Sequence, residues 1–86
     1  MVFRIALSEM APWVLDQVSM KEAQQIRGCL DQLARNPYRD VDQRVTLILP
    51  LGRVYRDAYR CGDWAIAYEF QDEDTLLVQM IGRLFY

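Results

Sequence analysis

Apolar positions change their period along the chain, and each change marks an element. Val2 to Leu7 alternates loosely, which predicts a short first strand. From Ser8 to Val18 the spacing of Trp13, Val14 and Val18 is helical. Pro12 is compatible with that helix only in its first turn, where a backbone amide has no intrahelical acceptor. Ser19-Met20-Lys21-Glu22 has the form of a capping box, with Val18 and Ala23 placed as the hydrophobic staple. A second helix is therefore predicted to begin at about Met20. Its apolar stripe is Ala23, Ile26, Leu30, Leu33 and Ala34, and Asn36-Pro37 ends it because the residue before proline is pushed out of the helical region.

Tyr38 to Gln43 is polar and reads as a loop. Strands are predicted at Val45 to Leu49, closed by Pro50-Leu51-Gly52, and at Val54 to Arg60, Trp64 to Phe70 and Leu76 to Gly82. Cys61-Gly62-Asp63 and Gln71-Asp72-Glu73-Asp74 are short enough to be hairpin turns. Residues 1–86 thus form one α+β domain: a short first strand, two helices, then an antiparallel β meander, with the helices packed on one sheet face. Period-two alternation puts the bulky Trp64, Ile66, Tyr68 and Phe70 on one face and Ala65, Ala67 and Glu69 on the other. The bulky face is expected to meet the helices, leaving the alanine face to solvent or a partner. In the preceding strand Arg56 and Arg60 share one side with Ala58, while Tyr55, Asp57 and Tyr59 share the other. The hairpin register decides which set joins the alanines.

Composition narrows the function. The chain has 86 residues, 52% hydrophobic and 26% charged, which suits one globular domain. Its net charge is −2, and nine of its ten cations are arginine, Lys21 being the exception. That balance counts against a nucleic-acid role carried by overall charge, since phosphate neutralisation supplies most of such affinity. No apolar run could span a bilayer, and Met1-Val2-Phe3-Arg4 does not read as a signal sequence, so a cytoplasmic protein without membrane contact is expected. Cys29 and Cys61 read as free thiols. Without histidine or a CxxC pair, no zinc site and no cofactor are expected, and Asp72-Glu73-Asp74 reads as a solvated turn.

Three segments carry a family likeness: Leu33-Ala34-Arg35-Asn36-Pro37 at the end of the second helix, Arg60-Cys61-Gly62-Asp63-Trp64-Ala65-Ile66-Ala67-Tyr68 across a hairpin, and Ile81-Gly82-Arg83-Leu84-Phe85-Tyr86 at the carboxy end. In this order they resemble the RelE/ParE superfamily, the toxins of bacterial type II toxin–antitoxin modules, with roles in growth inhibition and plasmid stabilisation. The resemblance implies a cognate antitoxin partner, with Arg56, Arg60, Ala65, Ala67, Arg83 and Phe85 as contact candidates. It also implies one of two targets. The ribonuclease branch cuts messenger RNA on the ribosome, using cations aimed at the scissile phosphate; the matching residues here would be Arg60, Arg83 and Tyr86. Ala65 stands where that branch carries a strand arginine, and losing one aimed donor costs about 3–4 kcal/mol of transition-state stabilisation. The ParE branch acts on DNA gyrase without a hydrolytic constellation and is the favoured expectation. The alternatives are the ribosome-dependent endoribonuclease and a non-toxic homologue that only binds an antitoxin. With the alanine face open, Ala65→Arg is expected to cost within about 0.5 kcal/mol.

Overall fold

The computed structural model describes residues 2–38, 44–48 and 52–84. Strand β1 (Arg4–Leu7) leads into helices α1 (Met10–Gln17) and α2 (Met20–Arg35), followed by strands β2 (Arg44–Ile48), β3 (Val54–Cys61), β4 (Trp64–Phe70) and β5 (Thr75–Arg83). The sheet order is β1-β5-β4-β3-β2, antiparallel except for the parallel pair of β1 and β5. The expected element order and fold class are observed. Most of the loop predicted over Tyr38 to Gln43, Leu49, and Pro50-Leu51 of the strand closure lie outside the described residues.

Local chemistry explains the helix ends. The Glu22 amide donates to Ser19 Oγ at 3.1 Å and the Ser19 amide donates to Glu22 Oε1 at 3.2 Å, completing the capping box. Pro12 falls in the first turn of α1, as its missing amide requires. At the other end of α2 the Asn36 amide donates to the Gln32 carbonyl at 3.1 Å.

Two cores lie on opposite faces of the sheet. On the helix side, Ile26, Cys29, Leu30 and Leu33 pack with Tyr59, Trp64, Ile66, Leu76, Val78 and Ile81. On the other side, Leu47, Ala58, Ala65, Ala67 and Met80 form a second cluster, flanked by Val45, Tyr55 and Leu84. Val14 of α1 packs against both clusters. The alternation predicted for β4 is therefore observed, but the alanine face is not open. Ala65 is 0% and Ala67 3% exposed. Phe70 departs the other way: it is 47% exposed and stacks on Tyr38 at 5.5 Å between ring centroids, an aromatic cluster at the sheet's end rather than core.

Strand irregularities account for the covered face. Pairing passes from Val45↔Ala58 to Leu47↔Tyr55, so β3 carries an extra residue there, and Asp57 takes φ +60°. Between β4 and β5 the register skips Gln79, whose carbonyl accepts from Ser8 Oγ at 2.8 Å. Such bulges bend a strand and increase its twist. Small residues on the inner side let the curled sheet close on itself. A Cβ placed on Gly82 would lie 2.7 Å from Leu47 Cδ1, so the glycine is what lets β2 fold over β5.

The cysteines also differ from expectation: Cys29 and Cys61 are not free thiols but are bonded to each other, with their Cα atoms 5.9 Å apart. Both side chains sit on the surfaces where α2 meets the sheet, which brings them within bonding range.

Candidate functional site

The residues singled out by the hairpin pattern gather at the end of the sheet where β3 turns into β4. A two-residue loop, Gly62-Asp63, makes the turn, with Gly62 at φ +60° in the first loop position, where glycine is favoured. The Leu84 amide donates to the Asp63 carbonyl at 2.7 Å, tying the end of β5 to this turn. Across the strands, Arg60 pairs with Ala65 and Ala65 with Gly82, while Cys61 pairs with Trp64 and Trp64 with Arg83.

These two rows point to opposite faces. Cys61 is bonded to α2, so the row of Cys61, Trp64 and Arg83 faces the helices. The row of Arg60, Ala65 and Gly82 faces the second cluster. Arg83 is held on the helix side by an ion pair with Glu22 and by the Trp64 ring, whose centroid lies 4.9 Å from Cζ. Arg56 does not share the side of Arg60 either. The bulge at Asp57 puts Tyr55 and Ala58 on one face, which breaks the alternation that had grouped the two arginines. Of the three arginine contact candidates, Arg60 therefore stands on the opposite face of the sheet from Arg56 and Arg83. Ala65 and Ala67, expected on an open face, are instead buried beneath Leu47 and its neighbours. Phe85 and Tyr86 lie outside the described residues.

Two features of this end escaped the pattern reading. Glu22 serves α2 as its cap and Arg83 as its counter-ion, using a different oxygen for each. Its place in the capping box was the only signal in the sequence. Gln32 was the other, its Oε1 accepting from the Tyr59 hydroxyl at 3.2 Å and so bracing α2 against β3. Elsewhere, the Asp74 amide donates to Asp72 Oδ1 at 3.0 Å and, with further bonds from Asp74 and Thr75, holds the Asp72 carboxyl below its ordinary pKa. Among the described residues no group of His, Cys, Asp or Glu is arranged to hold a metal ion, and no helix is long and apolar enough to cross a membrane.

No protein-family profile matches the sequence, and no curated protein matches it significantly. Among solved structures, a chain of the toxin–antitoxin complex RelBE2 from Mycobacterium tuberculosis is similar, with a TM-score of 0.69 over 96% of this chain and 99% of that one. The sequence identity is 15%, so the likeness is one of fold. The match runs along nearly the whole of both chains, so this protein shares the fold of that chain of the RelBE2 complex.

Proposed function

We propose that the chain is the toxin of a type II toxin–antitoxin module, that it acts by binding a target rather than by cutting RNA, and that DNA gyrase is the target. The toxin reading rests on the fold and on the neighbour, whose own structure is that of a toxin–antitoxin complex. One observation supports the binding mode: Arg60 and Arg83 leave the sheet on opposite faces, so they do not converge on one phosphate. Phosphoryl-transfer chemistry of the ribonuclease kind needs donors preorganised around a single developing charge. The cation absent at Ala65 has no open surface from which to act.

Induction of the protein alone should arrest growth, and co-expression of a small antitoxin should relieve the arrest. Purified protein should inhibit gyrase supercoiling at micromolar concentration. Arrest without any effect on gyrase removes that target. Cleavage of translated messenger in the ribosomal A site, abolished by Arg83→Ala, establishes the endoribonuclease instead. Harmless induction points to a homologue that only binds an antitoxin.

A further inference from the structure

We infer that Cys29–Cys61 is a thiol–disulfide exchange site for a small thiol of the glutathione class, and that its redox state sets the order of the arginine-bearing end of the sheet. The bond is placed where it controls that end. Helix α2 reaches the β3–β4 hairpin region through two side chains seven residues apart on one stripe: Glu22 to Arg83, and Cys29 to Cys61. Cys61 directly follows Arg60 and pairs with Trp64, on which Arg83 rests. The Glu22–Arg83 pair is partly solvated, with side chains 27% and 47% exposed, and such a pair is a weak restraint on its own. The covalent link is the strong one.

The two cysteines are unequally exposed. Cys29 is 6% exposed, whereas Cys61 is half-buried at the end of its strand. A glutathione thiolate attacks Cys61 Sγ, the sulfur–sulfur bond breaks, and Cys29 leaves as a thiolate that takes up a proton. A second glutathione thiolate then attacks the glutathione sulfur of the mixed disulfide, releasing oxidised glutathione and the Cys61 thiolate, which is protonated in turn. The balance is one protein disulfide and two glutathiones giving two protein thiols and one glutathione disulfide. The reverse reaction oxidises the protein.

The chain is large enough to hold a core without this bond. At 86 residues, with two hydrophobic clusters, the chain has its own core, unlike the smallest disulfide-dependent domains. A bond added to a chain of that size, half-buried at one end and seated beside the candidate site, has the properties of a switch.

The test uses the purified full chain equilibrated over a range of reduced to oxidised glutathione, without denaturant, and then alkylated. Mass spectrometry should show two thiols appearing together at ratios spanned by living cells. Hydrogen exchange of the two forms should show protection at residues 60–64 and 83–84 falling about tenfold or more on reduction, with 66–70 and 76–78 unchanged. The melting temperature should fall by about 10–25 °C while unfolding stays cooperative. The Cys29→Ser/Cys61→Ser variant should match the reduced protein and ignore glutathione; should it fail to fold, reduced wild type carries the comparison. Thiols that appear only in denaturant, equal protection of both forms, or loss of protection across the whole chain overturns the inference. None of these readouts depends on toxicity, so their failure is distinct from failure of the toxin reading.

Discussion

The two faces of the sheet are built from opposite materials and reach the same burial. The helix face carries Trp64, Ile66 and Tyr68 on β4 and meets the stripe of α2. The other face carries Ala65 and Ala67, meets Val14 of α1, and is covered by Leu47 where the sheet curls. Large residues project far enough to fill the gap to a helix. Small ones leave room for the backbone of a neighbouring strand to approach, and Leu47 occupies that room. A face of small residues is therefore not evidence of an open face. Whether it is open depends on how strongly the sheet bends.

The sharpest way to break this comparison is to damage each face in turn. Trp64→Ala should cost about 3–5 kcal/mol in urea unfolding, through lost transfer energy and the cavity left behind. Ala65→Arg should cost a similar amount, about 3 kcal/mol or more, because a guanidinium must be forced under Leu47 and Met80. This replaces the near-neutral outcome that an open face would give. A cost within about 0.5 kcal/mol for Ala65→Arg would show that the second cluster is not closed.

Smaller changes probe the curl itself. Gly82→Ala should cost about 1–2 kcal/mol, since the added methyl meets Leu47 Cδ1 and only the flexible end of that side chain can give way. At the bulge, Asp57→Val should cost about 1–2 kcal/mol because φ +60° crowds a β-branched side chain, while Asp57→Gly should be neutral or slightly stabilising. A neutral Asp57→Val would mean that β3 does not bulge there.

The smallest effect is expected at the acidic turn. Asp72 is exposed and its carboxyl is held below its ordinary pKa, chiefly by the Asp74 amide. A depressed folded pKa means that the charged carboxylate stabilises the turn above the ordinary aspartate value, and that this contribution is lost as pH falls through the depressed one. Amide shifts of Asp74 and Thr75 followed through acid titration should report the transition, and Asp72→Asn should remove it.

Much of the fold was legible because its signals are local. The capping box, the Asn-Pro stop, the glycine turn and the alternation in β4 each act within a few residues, and each appears where the pattern placed it. The arginine geometry was not legible, because one extra residue at Asp57 and another at Gln79 reverse the side of everything beyond them. Single-strand alternation assumes no such insertion. The disulfide was partly visible in retrospect. Cys29 lies three residues after Ile26 and four before Leu33, on the stripe facing the sheet, and Cys61 shares the parity of Tyr59. Bringing them together required the register of α2 over β3, which is a property of the packed fold.

The central claim is that Leu47 seals the alanine face, and methyl NOE spectroscopy tests it most directly. Strong cross-peaks are predicted from the Leu47 methyls to the Gly82 α-protons and to the Ala65 methyl, with no cross-peaks from the Ala65 and Ala67 methyls to water. Leu47 methyls without those partners, together with water contacts at Ala65 and Ala67, would contradict the account and restore an open working face.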